Sequence, residues 1–557
     1  MNSQFGKCYN QGFKYFTRVI WCVVSGLLFW RTYEHYRTGL EYVYLHEILG
    51  TWLCLARGSA AVLNLNCAVV LLPMCHTLVW LLNRVVRRVT VNTRWLKMET
   101  KSFHIFIGYV ILLTTGVHVA AHVVNINSFC ENFHEEFLEV NPFSYKPKIY
   151  SIVFGTVTGV TGILMTLILL MIFLTSLKVV RRRCFNTFWY SHRIFVVFYL
   201  LFVFHGFRGP LRKQINVDKH IPGCHRNRID ETMVIITSNT TDNSSIYISN
   251  ETCSEMPTFV PIGCHTWLWV GIPVLIYICD VVCRIFRRRH SAEISDVRHI
   301  CDDIIEVSFY NSDLKPRPGQ YVFVNCNQIS TIEWHPFSVV QVPTICNNNI
   351  FKLWIKSSGD WTDQFVEKTK GTKSGSCCED PMQRYPTVQI DGPYSSSMEN
   401  ILKYKFALCI AGGVGITPFL SHILYLAEDR GKNKKIKLKC LHLIFAGRNE
   451  DILQSSFETI QKSCEKVNGR VDIDVKLFYT GKLTKNKNAV TSAKIQNGRP
   501  QLGQIFKNMS AKTTFANKRC TVGVFACGPV AMCTDVARYC NTYSTLHTRY
   551  AFHKESF

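Results

Sequence analysis

Six apolar runs fall in the first 285 residues, near 14–32, 52–82, 103–126, 150–177, 186–207 and 266–285. Each reaches or exceeds the ~20 residues a helix needs to cross a bilayer. A buried helix of a soluble protein rarely stays apolar all round for so long. The runs therefore predict six membrane helices, with the lipid bilayer as the first partner. Composition agrees. Charged residues make up 18% of the 557 and hydrophobic residues 47%, where soluble chains carry about 25% charge.

The net charge is +24, and its placement sets orientation. Arg84, Arg87, Arg88, Arg94, Lys97 and Lys101 lie between the second and third runs, and Lys178, Arg181, Arg182 and Arg183 between the fourth and fifth. Arg284, Arg287, Arg288 and Arg289 follow the sixth, while Glu131, Glu135, Glu136 and Glu139 mark the alternate side. The positive-inside bias then places the N- and C-termini in the cytosol. A plasma-membrane or endoplasmic-reticulum location suits this topology. The basic clusters abut membrane segments and no nucleic-acid motif accompanies them, so nucleic acid is not expected as a partner. The loop at 207–265 falls outside, and it carries sequons at Asn239, Asn243 and Asn250. Its Cys224, Cys253 and Cys264 allow one disulfide of undetermined pairing.

Past residue 290 the chain changes character. Residues 290–390 show short alternating strands between Gly/Pro turns, such as Gln320–Asn325, and predict a small antiparallel barrel. Residues 391–557 alternate apolar strands, such as Phe406–Ala411, with helical stretches, and predict a parallel α/β sheet. The expected domains are 1–289 in the membrane, 290–390 and 391–557. Segment 366–384 reads as a flexible surface insertion.

Ionisable residues at membrane depth are costly and usually functional. The third run carries His104 and His118, the fifth His192 and His205. Spacings of 14 and 13 separate each pair by ~20 Å along its helix. Both helices run inside to outside, so His104 lies level with His192 near the cytosolic face and His118 with His205 near the outer face. Facing imidazoles at one depth suit two bis-axial haem b sites stacked across the bilayer. With both axial positions filled, oxygen cannot bind the iron, and its reduction takes place at the haem edge. A spacing of 13 leaves His192 and His205 ~140° apart in azimuth on an ideal helix. Either that helix is distorted or the haems approach from different sides. His122 is a rival ligand of lower rank. Arg57, in the second run, needs an anionic or carbonyl partner, and a haem propionate is one.

The cytosolic motifs point to nucleotides. His335-Pro336-Phe337-Ser338 offers a basic residue and a hydroxyl to a flavin, Lys356 a charge to its pyrophosphate, and Trp361-Thr362 a following turn. Asp391–Tyr394 opens the next domain. Gly412-Gly413-Val414-Gly415-Ile416-Thr417-Pro418 lies between a strand and a helix, where glycines let backbone N–H groups approach a pyrophosphate. Cys527-Gly528-Pro529 follows another strand and offers a small thiol near a nicotinamide. Arg448 and Arg499 suit a ribose 2′-phosphate, favouring NADPH. Phe557 ends the chain as an aromatic able to stack on a flavin.

Together these blocks resemble the NADPH oxidase family of transmembrane flavocytochromes, over almost the whole chain. The four histidines, the HPFS and DGPY blocks, the GGVGITPF loop, the CGP turn and the terminal HKESF stand in the family's order. Ser59–Cys67, Val117–His122 and the long sequon-bearing loop resemble most the constitutively active, hydrogen-peroxide-producing type. The resemblance implies a six-helix ferric-reductase-like bundle joined to a ferredoxin-reductase-like module. It implies two haems, FAD, NADPH, oxygen as acceptor, and a small membrane subunit of the cytochrome light-chain type. It also places His220 as a proton donor in the external loop, and Cys527 and Phe557 beside the hydride path. Two rival functions are a ferric-chelate reductase and a non-catalytic proton channel or partner-binding subunit.

Overall fold

The computed structural model describes residues 2–89, 100–207, 209–224, 255–288, 291–310, 314–343, 350–370, 385–429, 436–467, 469–481, 495–514 and 520–555. The chain divides into two compact units, Phe16–Val281 on one hand and Met1–Tyr15 with Val282–Phe557 on the other.

The helices up to residue 287 are α1 (Asn2–Thr38), α2 (Val43–Leu49), α3 (Trp52–Val70), α4 (His76–Val89), α5 (Thr100–Glu131), α6 (Ile149–Gly155), α7 (Val157–Ser176), α8 (Lys178–Arg183), α9 (Phe185–Arg193), α10 (Phe195–His205) and α11 (Thr266–Arg287). Among the described residues six spans are long and apolar enough to cross a membrane: Gln4–Thr38, Trp52–Met74, Thr100–Glu131, Val157–Ser176, Phe185–His205 and Thr266–Arg287. Their outward faces are apolar, with Leu113 74% and Ile272 69% exposed. Such surface is stable against lipid or an apolar partner rather than water.

Three of the six runs are not single helices. The second breaks at Leu71–Cys75, where Pro73 interrupts the hydrogen-bond ladder, and α4 follows as a separate helix. The fourth restarts at Thr156, whose hydroxyl accepts from the Gly159 amide at 3.0 Å and caps α7. The fifth breaks at Ile194, whose amide bonds back to the Ser191 carbonyl at 3.2 Å. That contact is a tightened turn. At 3.0 rather than 3.6 residues per turn, three such residues add about 60° of rotation. The fifth run is therefore not one ideal helix between His192 and His205. In the 207–265 loop, short strands β1 (Arg212–Gln214) and β2 (Phe259–Pro261) pair antiparallel.

In the other unit a closed barrel comprises β3 (Ser291–Cys301), β4 (Ile304–Tyr310), β5 (Tyr321–Cys326), β6 (His335–Gln341), β7 (Ile350–Lys356) and β8 (Val388–Tyr394), in the order β3-β4-β7-β6-β5-β8. Helix α12 (Asp360–Thr369) follows β7. Two expectations change here. Asp391–Tyr394 does not open the next domain; it completes β8, with Asp391 fully buried. Val366 and Thr369 are buried in the last turn of α12, so the segment expected to be a flexible insertion begins as packed helix. Its remainder, 371–384, lies outside the described residues.

The second layer system holds β9 (Phe406–Gly412), α13 (Thr417–Asp429), β10 (Cys440–Gly447), α14 (Glu450–Val467), β11 (Asp472–Tyr479), β12 (Ile495–Asn497), α15 (Leu502–Thr514), β13 (Cys520–Cys527), α16 (Val530–Tyr543) and β14 (Thr548–Glu555). The strands form one parallel sheet ordered β12-β11-β10-β9-β13-β14. Strands buried on both faces read as continuous apolar runs, which is how β9 and β13 appear in the sequence. Phe419, Leu420 and Ile423 of α13 are fully buried in the core that joins sheet and barrel, each worth about 1.5–3 kcal/mol relative to exposure. The order reverses between β9 and β13, since the chain leaves β9 for β10 and later returns to the far side. Such switch points are where open α/β sheets bind ligands, at the strands' carboxyl ends.

Candidate functional site

The four membrane histidines meet in two pairs. His104 and His192 have ring centroids 6.0 Å apart, and His118 and His205 6.4 Å apart. Two imidazoles that shared one metal between them, each with a bond of about 2.0 Å and about 1.1 Å from nitrogen to ring centre, would stand about 6.2 Å apart. Every Nδ1 already has a protein partner. That of His104 lies 2.9 Å from the Val70 carbonyl, and that of His118 lies 3.1 Å from the Ala56 carbonyl and 3.2 Å from Ser59 Oγ. That of His205 lies 2.9 Å from Thr161 Oγ1, and that of His192 3.4 Å from Ser176 Oγ. The outward nitrogen held in this way fixes ring orientation and leaves Nε2 for a metal. Among the described residues no group of three or more His, Cys, Asp or Glu is placed to hold a bare ion. Two imidazoles with no further ligand suit a metal that brings its own four nitrogens, which is the donor set of a haem.

The sequence offered a signal for these outer partners that went unread. Thr161 and Ser176 are polar residues in the apolar run of α7, 15 apart and so ~22 Å along it. That matches the rise between His205 and His192 on the neighbouring helix. His122 lies against His118, with centroids 4.5 Å apart. Arg57 donates to Tyr36 Oη at 2.7 Å and stacks over that ring at 4.9 Å. Its partner is a tyrosine of α1, which the apolar pattern did not reveal.

His220 is 5% exposed beneath the β1–β2 ribbon. Its Nε2 sits 2.6 Å from Tyr44 Oη and its Nδ1 3.1 Å from the Glu255 carbonyl. A carbonyl only accepts, so Nδ1 carries the proton and Tyr44 donates to Nε2. Burial raises the Tyr44 phenol, helped by Glu47 and Glu136, which keeps it a donor at neutral pH. Tyr44 escaped the sequence reading because nothing in its spacing ties it to residue 220. Cys224 is disulfide-bonded and Cys264 is a free thiol. The three sequons and Cys253 lie outside the described residues.

At the barrel, His335 stacks on Trp361 at 4.3 Å, and Trp361 on Phe365 at 5.2 Å. Burial lowers the His335 imidazole against the pull of Glu333. Ser338 is buried on β6, and among the described residues neither its hydroxyl nor Trp361 Nε1 has a hydrogen-bond partner. Such orphans call for a ligand, and the pair fits a flavin nucleotide. Phe337 lies half-buried beside Trp361 and Pro336 is exposed. Two expectations weaken. Lys356 pairs with Asp303 at 3.2 Å, and a pyrophosphate would compete with that carboxylate. Thr362 Oγ1 donates to the Gly359 carbonyl at 2.8 Å and accepts from the Ser358 amide at 3.0 Å, so it braces its own turn. The buried Asp391 receives Arg288 Nε at 3.0 Å, with Arg287 at 3.7 Å.

The glycine loop and the CGP turn meet at the switch point, where Ala411 and Cys527 are register partners. A Cβ on Gly415 would stand 2.4 Å from the Cys527 carbonyl, and one on Gly412 2.7 Å from Pro529 Cδ. Gly413 has φ +58° and Gly528 φ +150°, conformations that favour glycine. The backbone is thus pared down where a pyrophosphate approaches, with Thr417 and Pro418 opening α13. Cys527 is buried, and burial pushes its thiol well up, so it stands there as a neutral, compact side chain. Arg448 follows β10 and Arg499 follows β12, both exposed at the carboxyl edge of the sheet. Phe557 lies outside the described residues.

Three family models cover most of the chain: "Ferric reductase like transmembrane component" over 57–203, "FAD-binding domain" over 289–398 and "Ferric reductase NAD binding domain" over 404–541. NADPH oxidase 4 of Homo sapiens is 33% identical over 98% of both chains, and that of Mus musculus 32% over the same shares. NADPH oxidase 1 of Rattus norvegicus is 26% identical over 97% of both. The likeness to NADPH oxidases over nearly the whole chain supports the oxidase reading above a ferric-chelate reductase or a non-catalytic channel or partner subunit. With six apolar spans, a flavin barrel and a nucleotide sheet, this multi-pass membrane protein belongs to the NADPH oxidase family and is a transmembrane NADPH oxidase that uses FAD and NADPH.

Proposed function

We propose that the chain carries electrons from cytosolic NADPH across the membrane through two haems, one held by His104 and His192 and the other by His118 and His205. The observation that carries this reading is the set of four engaged Nδ1 atoms, each leaving an Nε2 free in a pair of the right spacing. Bound FAD supplies the change from hydride to single-electron transfer, and bis-imidazole haems supply one-electron relay. The chain's own work is to orient. Val70, Ala56, Ser59, Thr161 and Ser176 fix the rings, and Ser338, Trp361 and His335 position the flavin. The Gly412–Gly415 loop, with Cys527–Pro529, gives the nicotinamide nucleotide close access. Arg448 and Arg499 face the 2′-phosphate, and Arg57 turns from Tyr36 toward a propionate. Phe557 covers the flavin until nicotinamide arrives.

On the outer side, His220 delivers protons to reduced oxygen, re-protonated through Tyr44, so that hydrogen peroxide accompanies or replaces superoxide. Both termini face the cytosol, in the plasma membrane or endoplasmic reticulum, and a small light-chain-type membrane subunit covers part of the bundle's apolar face. Purified with such a partner, the enzyme is expected to take up oxygen on NADPH addition, with uptake lowered by catalase, which returns half the oxygen held as peroxide. NADPH oxidation without oxygen uptake would overturn the assignment of oxygen as acceptor.

A further inference from the structure

At the amino edge of the parallel sheet, far from the nucleotide end, three side chains form a nucleophile-base-carboxylate chain. Cys440 opens β10 and His442 follows two residues on, so both point to one face. Asp472 and Asp474 are their register partners on β11. Cys440 Sγ lies 3.2 Å from His442 Nε2, and His442 Nδ1 lies 2.9 Å from Asp474 Oδ2. Asp472 Oδ2 is a second acceptor for the thiol, at 3.5 Å. The nearer partner is the base. His442 is buried while Cys440 is partly exposed, so the imidazole is held and the sulfur is reachable. This is the arrangement that activates cysteine: a thiol on a base that a third group orients. The nicotinamide chemistry does not use it, since Gly447 at the other end of β10 is ~23 Å away.

We propose that Cys440 is a peroxide-reactive thiol, activated by His442 and Asp474. The oxidant is hydrogen peroxide. Superoxide dismutates to it, so an NADPH oxidase supplies it whichever of the two it releases. His442 Nε2 takes the thiol proton, and the sulfur attacks one peroxide oxygen. The S–O bond forms as the O–O bond breaks, and the leaving hydroxide takes the proton back from His442 as water. Sulfur loses two electrons, peroxide gains them, and the product is a sulfenic acid. Acyl transfer is disfavoured at the same thiol, because the Cys440 amide is already committed to the Lys405 carbonyl at 3.1 Å and is lost as an oxyanion donor.

The test uses the full-length enzyme in detergent, a dimedone-type sulfenic probe and peptide mass spectrometry. With added peroxide and no NADPH, Cys440 is expected to label at least about tenfold faster than the exposed Cys8 and Cys184, which stand outside this triad. His442→Gln should slow it about tenfold and Asp474→Asn less, with flavin content unchanged as the check on folding. Cys440→Ser should oxidise NADPH within about twofold of wild type, given the distance to the nucleotide end. Labelling no faster than at Cys184, or unchanged in flavin-replete His442→Gln, would overturn the proposal. During NADPH turnover, labelling abolished by catalase identifies the enzyme's own product as the source. Labelling only by added peroxide keeps the site and assigns the source elsewhere, and turnover labelling that survives catalase refutes peroxide as the oxidant.

Discussion

Gly415→Ala is the sharpest probe of the nucleotide site. The added Cβ would sit 2.4 Å from the Cys527 carbonyl oxygen, where real Cβ contacts do not fall below 3.0 Å. The loop or the CGP turn must retreat by at least the 0.6 Å difference. Both flanks are backbone, and neither is the free end of a flexible side chain. Overpacking of this kind costs about 1–3 kcal/mol. If the retreat falls on the bound-state geometry, NADPH binding weakens roughly 5- to 150-fold. The assay is the KM for NADPH in oxygen uptake, with flavin content, haem spectrum and reduction by dithionite as controls. Gly413→Ala is the companion variant. Nothing lies within 4 Å of its Cβ, so it bears only the left-handed φ, about 1 kcal/mol, and its KM should rise less. An unchanged KM in a flavin-replete Gly415→Ala enzyme would refute the placement of NADPH at this loop.

Three further outcomes follow from the same geometry. Thr161→Val keeps shape but removes the hydroxyl at 2.9 Å from His205 Nδ1; haem affinity at that pair should fall about 10- to 100-fold, measured as haem retained per chain on gel filtration. Tyr44→Phe removes the donor at 2.6 Å from His220; the product ratio should move from peroxide toward superoxide, read with catalase and superoxide dismutase, and an unmoved ratio removes Tyr44 from the proton route. Burial lowers the His422 imidazole to about 4, only partly offset by its bond to the Pro418 carbonyl. The unfolded chain takes up this proton below about 6.5 and the folded chain does not until about 4, so the stability is complete above 6.5 and is lost between those values. Melting followed by flavin fluorescence from pH 7 to 4 should show that loss, and His422→Gln should flatten it.

The fold was legible where one physical rule acts over many residues. Twenty apolar residues in a row, strands apolar on both faces and glycines between strand and helix leave few options, so bundle, barrel and sheet follow from pattern. The paired histidines were legible because a charge-capable ring in lipid demands a reason. Breaks were harder to see. Ile194 looks like any apolar residue, and its tightened turn shows only in the bond of its amide to the Ser191 carbonyl. Residues serving a distant partner were invisible for the same reason: Tyr44 meets His220 across 176 positions and Arg288 meets Asp391 across 103. Lys356 and Thr362 misled because local chemistry, Asp303 for one and the Gly359 turn for the other, had already claimed them.

The most direct test of the central claim is haem stoichiometry and coordination in one purified preparation. Wild type should hold two haems per FAD, both with six-coordinate, low-spin spectra in the oxidised and reduced states. His205→Leu should lose the outer haem and keep the inner one, still reducible by NADPH but with oxygen uptake abolished. One haem per chain in the wild type, a five-coordinate high-spin signal, or full oxygen uptake in His205→Leu would contradict the paired-histidine path.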